Sequence, residues 1–84
     1  MNDTDKTHGA TLRALRLQCS PPMRQGALAE RLNITQSTIS QIERGSRGLS
    51  VPMLKAAAAV LVCHLPMTEE QIIVSIVLCR EVTS

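Results

Sequence analysis

An 84-residue chain has room for one small domain, which excludes a second catalytic or ligand-binding domain. It is 44% hydrophobic yet contains no Phe, Tyr or Trp, so its core is to be built from Leu, Ile, Val, Ala and Met, and a reader of single-stranded nucleic acid, which stacks bases on aromatic rings, is disfavoured. The net charge of +2 conceals a division: seven basic residues against two acidic ones between Arg13 and Lys55 make a middle that suits a polyanion, whereas residues 65–84 set Glu69, Glu70 and Glu81 against Arg80.

Residues 1–7 are polar and lack periodicity, which predicts a flexible N-terminal arm. From about His8 the chain reads as helical. Leu12, Leu15 and Cys19 follow i, i+3, i+7 spacing and mark one buried face, and Ser20, Pro21 and Pro22 stop the helix, because a residue before proline is pushed out of the helical region. The first helix is therefore expected at about 8–19. A second, at about 24–32, carries Leu28 and Leu32 on its inner face beside the small Ala29, which lets two backbones approach at a tight crossing. Gly26 lies in its first turn, either as a weak helix start or as an opening through which a phosphate reaches the amides.

Thr35 suits the N-cap of a third helix at 36–44. At about 100° per residue, Ile39 and Ile42 point one way and Ser37, Ser40, Gln41 and Arg44 nearly opposite, with Gln36 at the exposed start. That pattern suits a helix with one face in a core and the other in a DNA groove. Gly45 fits the left-handed position that stops a helix, and Ser46, Arg47 and Gly48 form a loop. Ser50 caps a fourth helix at 51–63, whose first turn accommodates Pro52 and whose apolar stripe runs from Met53 to Val62. Pro66 then breaks the chain. Thr68 to Gln71 reads as a capping box for a fifth helix at 69–82; the β-branched run Ile72, Ile73, Val74, Ile76 and Val77 would also suit a strand, and the helix is preferred. This segment, 66–84, is apolar on more than one face, which predicts a partner surface.

Cys19, Cys63 and Cys79 are odd in number and widely spaced, and each lies in an apolar pattern, so they are expected to be ordinary buried thiols of a reducing cytoplasm, with no metal bound. The polar N-terminus and short apolar runs predict neither a signal peptide nor a membrane span. His8 and His64 stand apart from any acidic or cysteine cluster, and no nucleophile–base pairing or glycine-rich phosphate loop occurs. Neither an enzyme nor a cofactor is expected.

The stretch Gln25 to Gly45 resembles the helix-turn-helix of the Cro and CI repressors, the XRE family. The shared residues are Gln25, Leu28-Ala29, Leu32, Ile34, Gln36-Ser37-Thr38-Ile39-Ser40 and Ile42-Glu43-Arg44-Gly45, and the wider likeness spans about Ala10 to Leu65. The chain departs from the pattern at Asn33, where the family has Gly; at Arg24, where it has a Ser or Thr cap; and between the first two helices, where Pro21 and Pro22 lengthen the connection. In size and composition it is also similar to the small plasmid-encoded Kor repressors.

The resemblance implies an all-α, lambda-repressor-like domain over 8–65 and a C-terminal dimerisation segment over 66–84. It implies a homodimeric repressor on an inverted-repeat operator in double-stranded DNA. Gln36 and Gln41, with Ser37 and Ser40, would contact bases; Arg24, Gln25, Thr38, Arg44, Ser46 and Arg47 would contact phosphates. Arg16 and Glu43 match a partly buried structural ion pair. Ile72, Ile73, Ile76, Val77, Cys79 and Arg80 are expected at the dimer interface. The alternative is a protein-interaction module such as an antitoxin, its apolar tail docking a second regulatory protein.

Overall fold

Five helices, and no strand, occupy residues 3–78, the part of the chain that the computed structural model describes: α1 (Asp3–Gln18), α2 (Gln25–Arg31), α3 (Gln36–Glu43), α4 (Val51–Leu61) and α5 (Glu69–Val77). Hydroxyl caps start the last three. Thr35 Oγ1 accepts from the Thr38 amide at 3.1 Å, Ser50 Oγ from the Met53 amide at 3.3 Å, and Thr68 Oγ1 from the Gln71 amide at 3.1 Å. Gln71 Oε1 returns the favour by accepting from the Thr68 amide at 3.0 Å, completing a capping box, so α5 is a helix and the strand alternative falls.

α2 and α3 end in the same way. Asn33 (φ 59°) and Gly45 (φ 81°) both adopt left-handed backbone. Behind them the Ile34 amide donates to Ala29 and the Ser46 amide to Gln41, each at 2.9 Å, the paired pattern of a Schellman close. Asn replaces glycine at the first position because its short polar side chain tolerates that region.

α1 packs on α3 and α5, α2 on α3 and α4, and α4 on α5. Between them lies one core without an aromatic ring, made of Leu12, Leu15 and Cys19; Leu28 and Ala29; Ile39 and Ile42; Leu54, Ala57, Ala58 and Leu61; and Ile72 and Ile76, closed at its edges by Met23 and Leu65. Small side chains let α1 cross α3 closely. Any Cβ at the buried Gly9 would collide with the Ile42 carbonyl oxygen and come within 3.0 Å of the Glu43 backbone.

Cys63, expected as a buried thiol, is exposed. Two larger expectations are also corrected. The arm foreseen over 1–7 is helical from Asp3 onward: its residues pack on the loop that follows α3, with Lys6 against Gly45 and Asp5 beside Gly48. Tertiary contact here supplies what periodicity did not signal. Secondly, Ile72 and Ile76 are not available to a dimer partner, because both are fully buried in this chain's own core. Ile73 is half-buried at the edge of that core and Val77 is exposed, while Cys79, Arg80 and the rest of the helix expected to 82 lie outside the described residues. The outer side of α5 instead carries exposed Val74 and Val77 and, just past its end, Leu78, beside exposed Glu70 and Gln71 of its first turn. Among the described residues no helix is long and apolar enough to cross a membrane.

Candidate nucleic-acid interface

α3 owes its orientation to three inward side chains. Ile39 and Ile42 insert into the core, and Glu43, one residue further, meets Arg16 of α1 in a buried, bidentate ion pair: Nε donates to Oε2 at 2.7 Å and Nη2 to Oε1 at 2.9 Å. Buried charges need hydrogen-bond partners, and each guanidinium nitrogen and each carboxylate oxygen of this pair has one. Gln25 Nε2 donates to the same Glu43 at 2.9 Å, and Arg16 Nη1 to the Met23 carbonyl at 2.6 Å. The Met23 amide in turn donates to the Arg16 carbonyl at 3.2 Å, so the long connection with Pro21 and Pro22 is pinned to Arg16 at its far end. One guanidinium thereby ties α1, the start of α2 and the end of α3 together. Beside it, burial pushes the Cys19 thiol above its ordinary value of 9.0, a rise that the Arg16 charge partly opposes.

With the inner face fixed, the outer face is defined. Gln36 and Ser37 are exposed, and Ser40 and Gln41 are half-buried along the same helix. Arg44 is exposed and folds back to donate to the Ser40 carbonyl at 3.3 Å. Arg47 Nε donates to Gln41 Oε1 at 3.1 Å, which leaves the NH2 end of that carboxamide to act outward. Ser46 and Arg24 are exposed; Arg24 is the N-cap residue of α2 and supplies no side-chain cap.

Two of the remaining residues have structural duties as well. The Thr38 hydroxyl pairs with that of Thr35 at 2.9 Å, inside the cap of α3. Gln25 spends one of its two amide protons on Glu43 and keeps the other. Gly26 proves unconstrained by packing, since a Cβ there would meet only Gln36 Oε1, at an ordinary 3.7 Å. It lines an open hollow between the motif's helices with Ala29, Glu30, Asn33, Ile34, Thr35 and Gln36.

Sequence reasoning missed Gly9 and Lys6. Gly9 precedes Leu12 by three residues and Arg16 by seven, so it shares the α1 face that meets α3. For Lys6 the available signal was the acidic pair Asp3 and Asp5, the charge favoured in a helix's first turn. Among the described residues no three His, Cys, Asp or Glu side chains gather into a group that could hold a metal ion.

Residues 9–71 match a protein family described as "Helix-turn-helix domain". No curated protein matches this chain in sequence. Two crystal structures of the clp gene regulator ClgR from Corynebacterium glutamicum are similar in fold. One is 20% identical, covering 89% of this chain and 73% of the other, with a TM-score of 0.71; the second is 18% identical, covering 99% and 100%, with a TM-score of 0.73.

Proposed function

We infer that this chain, which belongs to the helix-turn-helix domain family, is a sequence-specific regulator of transcription that lays α3 in the major groove of double-stranded DNA. The observation that carries this reading is the two-sidedness of α3. Its inner face is locked by Ile39, Ile42 and the Glu43 ion pair, while an uncharged polar row faces outward between exposed arginines. A fixed helix with carboxamides and hydroxyls outward suits the donor and acceptor pattern of base edges.

Gln36 and Gln41 are the base readers, Ser37 and Ser40 adding shorter contacts. With its oxygen engaged by Arg47, Gln41 offers a donor, matched by the acceptors guanine O6 and N7, adenine N7 or thymine O4. Arg24, Gln25, Thr38, Arg44, Ser46 and Arg47 hold phosphates and so set register.

One such unit reads only a few base pairs. The reading therefore includes a homodimer of the Cro and CI type, its two copies of α3 about 34 Å apart on an inverted repeat, repressing by occupying the promoter. Exposed Val74, Val77 and Leu78 support α5 as the pairing surface.

Selection of bound sites from random duplex DNA is the test. The expected product is an inverted repeat with half-sites one helical turn apart, and Gln36→Ala and Gln41→Ala each lose that preference. Recovery of no preferred site from the intact chain would overturn the reading. The same apolar strip also supports docking of another protein, as in an antitoxin; a chain that stays monomeric at low micromolar concentration in light scattering, and selects no site, favours that second reading.

A further inference from the structure

Six residues of α1, 3–8, lie ahead of the segment that matches the family, 9–71. They pack against the loop that leaves α3. A Cβ built on Gly45 would stand 2.6 Å from Lys6 Cγ and 2.7 Å from Lys6 Cα, and one built on Gly48 would stand 3.3 Å from an Asp5 carboxylate oxygen. Ser46 and Arg47 lie between those two glycines, and Arg47 reaches back to Gln41 on the outer row of α3. Lys6 is exposed and carries its charge on a flexible four-carbon stem.

We propose that Lys6 is a further phosphate-binding residue, which joins Arg44 and Arg47 in one cationic cluster against the backbone of duplex DNA at the C-terminal end of α3. The first turns of α1 hold it there. Asp5, whose carboxylate lies beside Gly48 three residues along the loop from the glycine that Lys6 covers, belongs to the same neighbourhood and lowers the charge of the cluster by one. The proposal rests on the DNA-binding reading above.

The experiment measures binding of the full chain to its selected site and to a random-sequence duplex over a salt series. A residue that neutralises one phosphate contributes about 0.9 to the slope of log affinity against log salt. Lys6→Gln is expected to flatten that slope by about 1 and to weaken both duplexes by the same factor, with unchanged thermal unfolding; Lys6→Arg keeps the native slope. If Lys6→Gln leaves slope and affinity unchanged while Arg47→Gln flattens the slope, the DNA-binding reading stands and the assignment of Lys6 falls. If the native chain binds neither duplex in a salt-dependent way, both fall.

Discussion

α3 buries Ile39 and Ile42, α5 buries Ile72 and Ile76, and so each helix is anchored by two isoleucines about one turn apart. Outward they differ: Gln36, Ser37 and Arg44 on one; on the other, past exposed Glu70 and Gln71 in the first turn, Val74, Val77 and Leu78, with Leu78 58% exposed just past the end of α5. A polar face is content in water and can bind and release a charged partner as salt conditions change. An apolar face costs about 25 cal/mol for every Å² left wet, which favours a lasting occupant. The inner faces differ in one respect as well. α3 has a third, polar anchor in Glu43, whose paired geometry fixes rotation about the helix axis in a way that isoleucines alone do not.

The strongest way to break this comparison is Glu43→Ala. It strands the buried Arg16 guanidinium and is expected to lower stability by about 3–5 kcal/mol in urea unfolding, whereas replacing both partners by apolar residues costs far less. A loss no greater than that of an exposed charge would mean that α3 is held no differently from α5. Next, Ile39→Ala and Ile76→Ala should each cost about 2–5 kcal/mol, the price of a cavity in a packed core. The Ile76 loss should persist on dilution. Were it to vanish there, the inner face of α5 would belong to a dimer after all.

Smaller effects sharpen the outer faces. Gln36→Ala or Gln41→Ala should remove about 1–3 kcal/mol of discrimination between selected and random sites, while unfolding midpoints move by less than the equivalent of about 0.5 kcal/mol. Val77→Ser with Leu78→Ser should do the reverse, shifting the dissociation concentration of the proposed dimer in sedimentation while a single half-site is still bound. The smallest effect concerns α1, which packs on both helices. The Cys19 thiol at its end is raised above 9.0, so the unfolded chain loses this proton first; the thiol's contribution is whole below 9.0 and is lost as pH climbs towards the raised folded value. Cys19→Ala should remove that alkaline decline in a series of thermal melts.

Much of the fold is legible in single residues. Thr35, Ser50 and Thr68 each carry a cap whose chemistry is local, and α3, α4 and α5 begin immediately after them. Asn33 and Gly45 mark two helix ends for the same reason. What was not legible depends on contacts between distant segments. The need for a glycine at position 9 shows only once α3 lies across it, and residues 3–7, within the arm expected over 1–7, become helix where Gly45 and Gly48 lie beneath Lys6 and Asp5. In α5 the apolar residues surround most of the helix, so spacing alone does not say that Ile72 and Ile76 turn inward while Val74 and Val77 turn out. At the interface, residue types foretell donors and cations. They do not foretell that Arg47 takes up the oxygen of Gln41, or that Gln25 serves Glu43 as well as the solvent side.

The core of aliphatic side chains has a further, optical consequence. Lacking Phe, Tyr and Trp throughout, the protein is nearly transparent in the near ultraviolet and has no intrinsic fluorescence. In a complex with duplex DNA, the bases would supply essentially all of the near-ultraviolet absorbance. A single tryptophan placed on the outer strip of α5, at Val77 or Leu78, would shine against a dark background and report by its colour whether that strip lies in water or against a neighbour.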